Sequence, residues 1–264
     1  MYGLEDTDPI VKYYDETVGI CGESEINWYL EKVKTYGGPV LDLACGTGRI
    51  ALLLLQQGYK VWCIDDSEGM LTLFQKKLQN EPVDVQERLT IQKKKMSDFH
   101  LTRKFKSIIC VDAFFHNLTV KEEIDCLLCV AAHLNPEGRF FFNIPNPNFE
   151  FLLKCAGPQG KVYRERKSYP LKSGKVVLIE EAFNADLLEQ TIVTKLCYTK
   201  MNKGVTVETE ESQWKIRYLF QYEAVHLLYR CGFEVESIVG DYDNGPVTTS
   251  SQLIFQARLH SNDG

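Results

Sequence analysis

The chain has 264 residues, of which 44% are hydrophobic and 25% are charged, with a formal net charge of −6. These values are typical of a soluble globular protein with one α/β domain and an insertion, or with two small domains. The negative charge disfavours a broad nucleic-acid-binding surface. No apolar stretch approaches the roughly 20 residues of a membrane helix, and residues 1–10 lack the features of a signal peptide. We therefore expect a cytoplasmic protein without membrane contact.

The nine cysteines are an odd number, and several of them lie in apolar segments, as Cys63 and Cys110 do. This placement favours buried, reduced thiols over disulfides. Cys126 and Cys129 have C-x-x-C spacing, but no second pair or histidine lies at ligand spacing. The acidic residues of segment 241–243 lack the spacing to a closing glutamate that a calcium loop needs. The sequence therefore predicts no metal site.

Strand and helix patterns alternate over the first 145 residues. Two helical segments, 10–15 and 26–33, precede a buried strand at 40–43, which is followed by an apolar helix at 50–55. Further strands are predicted at 60–64, 88–92, 105–111 and 139–144, with helices from residue 67 and over 119–133 and a turn at 135–138. This alternation predicts a doubly wound sheet of mostly parallel strands.

Two closely spaced glycines, Gly46 and Gly48, follow the first strand. Strand, glycine turn and helix together form the opening of a nucleotide-binding fold, in which the backbone can approach a ligand at a helix N-terminus. The string 46–51 also fits the G-x-G-x-x-A variant of the dinucleotide fingerprint. However, Asp42 lies inside the preceding strand, where a carboxylate would repel a pyrophosphate and suit a cationic ligand.

Acidic residues and a histidine follow two other strands. Asp65 and Asp66 end the second strand, where an acid binds the ribose hydroxyls of a nucleoside cofactor. Residues 112–116 follow the fourth strand, which flanks the switch point of the sheet together with the first. Asp112 and His116 should therefore face the reacting end of the cofactor. His116 is the best candidate for a general base, because its unperturbed pKa is near neutrality.

The ordered motifs VLDLACGTGR, VWCIDDSEGML, KMSDF, CVDAFFHNL and LNPEGRFFFNIPN resemble those of class I S-adenosylmethionine-dependent methyltransferases, in particular bacterial small-molecule enzymes. The resemblance spans about residues 9–145. It implies a doubly wound, seven-stranded Rossmann-like sheet of order 3-2-1-4-5-7-6, with the last strand antiparallel, and S-adenosylmethionine as the cofactor. It favours Asp65 over Asp66 for the ribose. The implied cofactor-binding set is Tyr13, Asp42, Ala44, Gly46, Gly48, Asp65, Asp66, Met70, Met96, Ser97, Asp98, Val111 and Asp112.

Three of these assignments depend on how the chain matches the family pattern. Ala44 stands where family members commonly have glycine. Tyr13 and Tyr14 fall in an N-terminal segment that covers the cofactor and borders the substrate in the family. Met70 either packs on the adenine or fills the core.

The adenine site departs from the family pattern. Members often carry Gly-Asp before the Met-x-Asp-Phe run, with that aspartate near the adenine amino group. This chain has Lys94 and Lys95 there, which leaves the backbone of Met96 and Ser97, or the Asp98 side chain, as substitutes.

Residues 150–220 break the strand–helix alternation. Strand patterns at 161–169, 175–184, 190–200 and 205–218 are separated by hairpin turns. We predict an antiparallel sheet inserted at residues 151–218 that covers the substrate site, with residues 1–150 and 219–264 forming the cofactor-binding catalytic domain. Arg166, Arg217 and Tyr218 are candidate substrate contacts. A helix at 220–231 and strands at 233–239 and 251–258 complete the domain.

In-line methyl transfer requires an acceptor held close to the cofactor and aligned with it. We expect transfer to a nitrogen or oxygen of a small molecule, by a monomer or homodimer that needs no metal. His116 and Tyr14 are the candidate catalytic residues, and both are also candidate substrate contacts. Two alternatives remain open. One is a non-catalytic module that binds the cofactor, and the other is an NAD-dependent oxidoreductase, which would leave Asp42 unexplained.

Overall fold

The computed structural model describes residues 7–17, 19–20, 22–156, 163–249 and 251–260, without the side chains of residues 163–166. Eleven strands lie in these residues. In chain order they are β1 (Val40–Leu43), β2 (Val61–Asp65), β3 (Leu89–Lys93), β4 (Phe105–Cys110), β5 (Leu134–Pro145), β6 (Tyr163–Pro170), β7 (Val176–Asp186), β8 (Thr191–Asn202), β9 (Val205–Arg217), β10 (Phe233–Val239) and β11 (Gln252–Leu259).

Eight α-helices lie in the same described residues, together with 3-10 turns at Tyr14–Glu16 and Phe114–His116. The helices are α1 (Pro9–Tyr13), α2 (Glu23–Tyr36), α3 (Arg49–Gln56), α4 (Glu68–Leu78), α5 (Val83–Gln86), α6 (Val120–His133), α7 (Phe149–Cys155) and α8 (Gln221–Arg230). No helix in the described part of the chain is long and apolar enough to cross a membrane.

A seven-stranded sheet of order β3-β2-β1-β4-β5-β11-β10 forms the body of the molecule. Strands β1 to β5 pair in parallel, whereas β11 runs antiparallel to both of its neighbours, β5 and β10. The predicted order 3-2-1-4-5-7-6 with an antiparallel last strand is thereby confirmed. Helices cover both faces, because β1 and β4 are apolar on both sides and need cover on each. Side chains of α2 and α3 pack on one face, and those of α6 and α8 pack on the other.

The second sheet is antiparallel, with the order β6-β7-β8-β9. It confirms the antiparallel sheet that the hairpin signals predicted. The alternation of its side chains buries one face, because successive residues of a strand point to opposite sides. On that face Ile179 and Tyr198 join a buried cluster with Ile10 of α1 and Met70 of α4. The inserted sheet is therefore packed onto the N-terminal helix and the main sheet's helical layer.

One local prediction was wrong, and one helix was not predicted. The expected turn at 135–138 is extended, and β5 starts at Leu134, which pairs with Phe105 across an irregularity in the register. Gly138 makes this close pairing possible, because a Cβ there would lie 2.9 Å from the carbonyl oxygens of Phe105 and Lys106. Helix α7 was not predicted, although Asn148 caps it by accepting a hydrogen bond from the Phe151 N–H.

Candidate active site

A narrow cleft lies where β1 and β4 end, at the switch point of the main sheet. It is lined by Tyr14, Asp42, Ala44, Cys45, Gly46, Arg49, Ile50 and Val111. The structure thus brings together residues from three predicted segments: the N-terminal tyrosine pair, the glycine loop and the end of the fourth strand.

The glycine loop owes its shape to three residues with positive φ. Ala44 and Gly46 have φ of 54° and 55°, and Gly48 has φ of 74°. A Cβ on Gly46 would have no atom within 4 Å, so this position faces open space. A Cβ on Gly48 would instead lie 2.3 Å from the Phe74 ring of α4. Gly46 is therefore the glycine that a ligand can approach, whereas Gly48 is required for helix packing.

Asp65 ties the glycine loop to the end of β2. Its carboxylate accepts hydrogen bonds of 2.8 Å from the N–H groups of Gly46 and Ser67, one on each oxygen. Burial raises the pKa of Asp65, and these N–H groups oppose that rise. Because a carboxylate oxygen accepts two hydrogen bonds, each oxygen can still bind one ribose hydroxyl. The neighbouring Asp66 is half-buried, and burial also raises its pKa.

A charged network that the sequence analysis missed lies beside Asp42. The Arg49 guanidinium contacts the Asp112 carboxylate at 2.6 Å and the Glu25 carboxylate at 3.2 Å. Burial raises the pKa of Asp42 to about 8 and that of Glu25 to about 7, and in both cases Arg49 opposes the rise. Arg49 ends the GTGR motif, so the sequence could have identified it as a site residue. Glu25 lies in no such motif, and its position at the site depends on the way α2 packs against the sheet.

The two adjacent tyrosines have different roles. Tyr14 lines the cleft, and burial raises its pKa to about 12, so its hydroxyl stays protonated at neutral pH. The Tyr13 ring stacks on Tyr198 of the inserted sheet, with centroids 5.5 Å apart, and is 4% exposed. The Tyr13 ring therefore packs against the inserted sheet, and its cofactor contact stays a prediction. Met70 belongs to the same buried cluster as Tyr13, which agrees with the core-packing alternative.

The predicted adenine segment lies beside the end of β2. The Lys94 N–H donates to the Asp65 carbonyl, and the Asp98 N–H donates to Lys95 in a tight turn. Met96 is buried, Ser97 is partly exposed and Asp98 is exposed. The Met96 sulfur accepts a hydrogen bond from the Asn117 side chain. The segment is therefore near the ribose acid Asp65, and its adenine contact stays a prediction.

A larger cavity of about 450 Å³ adjoins the cleft. It lies between the carboxyl edge of the main sheet and the buried face of the inserted sheet, with α7 at its side. Its lining consists of Tyr14, Asp112, Phe115, His116, Asn143, Pro145, Asn146, Pro147, Asn148, Phe151, Leu152, Phe183, Ile192, Thr194, Trp214, Ile216, Tyr218 and Gln252. Tyr14 lines both the cleft and the cavity, so the two spaces meet at its ring.

His116 is a buried wall residue of this cavity, with 6% of its surface exposed. Burial lowers its pKa well below the ordinary 6.5, although a hydrogen bond to the Lys215 backbone opposes that change. The imidazole is therefore neutral at pH 7. With one ring nitrogen bonded to the Lys215 backbone of β9, the other is free to accept a hydrogen bond.

The three candidate substrate contacts of the inserted segment differ in their positions relative to the cavity. Tyr218 lines the cavity. Arg217 does not, because its guanidinium is 7% exposed and donates to Glu123 at 2.6 Å and to Glu223 at 2.7 Å. It therefore joins β9 to α6 and α8. Arg166 pairs with Glu180 in the backbone of β6, and its side chain lies outside the described part of the structure.

Comparisons with known proteins agree with this geometry. Residues 40–138 match the model of a family described as "Methyltransferase domain". A putative methyltransferase, YqeM of Bacillus subtilis (strain 168), is 25% identical over 93% of this chain and 94% of its own length. The cypemycin N-terminal methyltransferase of Streptomyces sp is 26% identical over 88% of this chain and 86% of its own.

A solved S-adenosylmethionine-dependent methyltransferase from Clostridium acetobutylicum ATCC 824 has the same fold. Its TM-score is 0.75 at 17% identity, with 96% of this chain and 98% of that one covered. The strand order and the cleft define a Rossmann-like methyltransferase. With the match of residues 40–138 to a methyltransferase domain and the two relatives, they make the chain similar in fold and in sequence to the class I S-adenosylmethionine-dependent methyltransferases. Its cofactor is S-adenosylmethionine.

The chemistry of the cleft fits this cofactor. Asp42 and Asp112 suit its cationic groups, Gly46 leaves room beside the loop, and Asp65 has free acceptor capacity for a ribose. Within the described residues, no group of three or more His, Cys, Asp or Glu side chains could hold a metal ion. The cleft itself has a volume of about 20 Å³, and the 3-10 turn that carries Tyr14 forms part of its wall.

Proposed function

We propose that this protein transfers a methyl group from S-adenosylmethionine to a nitrogen or oxygen of a small molecule bound in the 450 Å³ cavity. The observation that supports this proposal is that Tyr14 lines both the cofactor cleft and the cavity. An acceptor in the cavity would thus lie next to the cofactor, and this proximity is the main requirement of an in-line displacement.

The proposed division of the chain follows from the same arrangement. Residues 1–150 and 219–264 form the cofactor-binding catalytic domain, and residues 151–218 form a β insertion that covers the acceptor site. Three strands of the insertion contribute to the cavity, through Phe183, Thr194 and Trp214. Insertions at the carboxyl edge of a doubly wound sheet are suited to acceptor selection, because the rigid sheet positions them over the site.

The bound cofactor supplies a methyl group on a positively charged sulfur, which leaves with the bonding electron pair when the acceptor's lone pair attacks the methyl carbon. The chain's residues orient the acceptor. The free ring nitrogen of His116 accepts a hydrogen bond from the acceptor's N–H or O–H, and the Tyr14 hydroxyl donates or accepts another. Asp112, at the cavity floor, attracts a positively charged acceptor group.

The low pKa of His116 favours nitrogen over oxygen as the acceptor atom. An amine attacks in its neutral form, so an ammonium bound beside Asp112 first loses a proton to solvent, and the N-methylated product then loses its extra proton to solvent as well. A hydroxyl must lose its proton as it attacks and needs a stronger base than a buried, neutral imidazole. The relative that methylates the N-terminus of cypemycin supports the same choice.

The remaining alternative is a module that binds the cofactor without catalysis. The test is to incubate the purified protein with S-adenosylmethionine and panels of primary amines, secondary amines and alcohols, and to quantify S-adenosylhomocysteine and methylated products by mass spectrometry. We expect turnover of at least one amine. Cofactor binding without turnover of any acceptor would contradict the proposal.

A variant series then tests the role of His116. His116→Ala should lower kcat by about 10²-fold, which is the typical rate contribution of one general acid–base or orienting group. The Kd for S-adenosylmethionine should stay unchanged. His226→Ala is the matched control, because His226 is exposed on α8. Unchanged turnover in His116→Ala would show that His116 has only a structural role.

A further inference from the structure

The wall of the acceptor cavity has an unusual charge composition. Among the described residues that line it, Asp112 is the sole carboxylate, and there is no lysine or arginine. Arg49, the cation nearest to Asp112, lines the cofactor cleft and is already bound to Asp112 and Glu25. The described lining therefore offers a charged partner to a cation and none to an anion.

Two of the four amides that line the cavity, Asn143 and Asn146, donate to other protein groups. The Asn143 oxygen accepts from the Tyr29 hydroxyl and the Asp112 N–H, and its nitrogen donates to Asp112 and Gln252. The Asn146 nitrogen donates to a backbone carbonyl. The wall thus offers an anion neutral donors and no charged partner among the described residues, so burying an anion there would carry a large desolvation cost.

The remaining wall is mostly aromatic and aliphatic. Phe115, Phe151, Phe183, Trp214 and Tyr218 contribute five rings. Rings bury a large apolar area and also attract a cation at their faces. A ligand that fits these walls has an apolar or aromatic body and one basic nitrogen.

We propose that the acceptor is an apolar or aromatic amine that carries no acid group, with its nitrogen beside Asp112 and its body against the five rings. This assignment rests on the proposed function, whose acceptor class it narrows. It excludes α-amino acids and phosphorylated amines, because their anionic group would enter a cavity whose described lining holds one carboxylate and no lysine or arginine. It also separates this site from enzymes that methylate amino acids at their nitrogen.

The test compares amines with the amino acids that differ from them by one carboxylate. The pairs are 2-phenylethylamine with phenylalanine and tryptamine with tryptophan. Binding is measured by isothermal titration calorimetry with the protein saturated with S-adenosylhomocysteine, so that no turnover is needed. We expect each amine to bind at least about tenfold more tightly than its amino acid. This difference in affinity is only a small part of the free-energy cost of burying an unpaired charge.

A variant that adds a cation to the wall sharpens the test. Ile216→Lys places an ammonium group on the cavity side of β9 and should reduce the preference for the amine by about tenfold or more. Gln213→Lys is the matched control, because Gln213 is exposed on the same strand and adds the same charge outside the cavity. It should leave the preference unchanged.

Three outcomes would overturn the inference: equal or tighter binding of the amino acids, binding of neither member of any pair, or an equal effect of the two lysine variants. These outcomes are distinguishable from failure of the proposed function. Methylation of a carboxylate-bearing acceptor would leave that function intact and refute the acceptor class. Selective binding of the amines without methylation of any acceptor would support the acceptor class and contradict the proposed function.

Discussion

Replacing Asp42 with asparagine should stabilise the protein and weaken its binding of S-adenosylmethionine. Asp42 lies at the end of β1 with 3% of its surface exposed, and it lines the cofactor cleft. Burial raises its pKa from 3.8 to about 8. The folded protein without cofactor therefore keeps a proton on Asp42 at a pH where the unfolded chain has lost it.

The sign and size of the effect follow from this difference in pKa. Between pH 3.8 and pH 8 the folded state binds more protons at Asp42 than the unfolded state, so stability falls as pH rises. Each pH unit above the unfolded-state pKa lowers the free energy of unfolding by about 1.4 kcal/mol, so the loss of stability at pH 7 is at most about 4 kcal/mol. Asparagine has nearly the same shape and no charge, so Asp42→Asn should recover about 1–4 kcal/mol at pH 7 and little at pH 4.

The same substitution should weaken cofactor binding above pH 8, where Asp42 has lost its proton and its charge attracts the cofactor. S-adenosylmethionine carries a sulfonium charge that S-adenosylhomocysteine lacks, so the loss of affinity should be larger for the former, by about tenfold. Urea denaturation at pH 5 and pH 8 measures stability, and calorimetry with both ligands measures affinity. Asp243→Asn, at an exposed aspartate, is the control. A gain in stability that does not depend on pH, or equal losses for the two ligands, would refute the reasoning.

Three further substitutions test other parts of the site. Gly48→Ala should destabilise the protein by about 2–4 kcal/mol in urea denaturation, because residue 48 has a φ of +74° and its new Cβ would clash with the Phe74 ring of α4. Gly58→Ala is the control and should destabilise the protein less, because Gly58 also has positive φ but faces open space. Asp15→Ala removes the contacts of the Tyr14–Glu16 turn with Thr47 and Lys77. Cofactor association in stopped-flow fluorescence should then accelerate, because Tyr14 of that turn lines the cleft, and an unchanged rate would exclude a role for these contacts in cofactor entry. Arg217→Met leaves the buried Glu123 carboxylate unpaired and should lower the free energy of unfolding by about 3–5 kcal/mol at pH 8. The loss should be smaller at pH 5, because burial raises the pKa of Glu123 to about 7. An equal loss at both pH values would contradict this explanation.

The main sheet was predictable from the sequence because its signals are local. Each parallel strand is a short apolar run, and the glycines at 46 and 48 mark the turn after β1. The antiparallel end of the sheet followed from the family resemblance. The inserted sheet was predictable from its hairpin turns, although its contact with α1 and Met70 depends on the way the two layers pack.

The charged parts of the site were less predictable, because their partners are distant in sequence. Arg217 was expected to contact substrate, but it is neutralised by Glu123, which lies 94 positions earlier in the chain. Sequence alone cannot show which arginines are paired in this way. Tyr13 and Tyr14 are adjacent and chemically identical. Their side chains point in different directions because adjacent residues of a helical segment do not share a face.

The Arg49–Asp112 pair lies between the acceptor cavity and the cofactor cleft. One Asp112 oxygen binds the Arg49 guanidinium at 2.6 Å, and the other accepts a hydrogen bond from the Asn143 amide. Arg49 itself lines the cofactor cleft, so the charge offered to an acceptor depends on a residue that borders the cofactor. The two sites are therefore joined electrostatically by this ion pair as well as sterically by Tyr14.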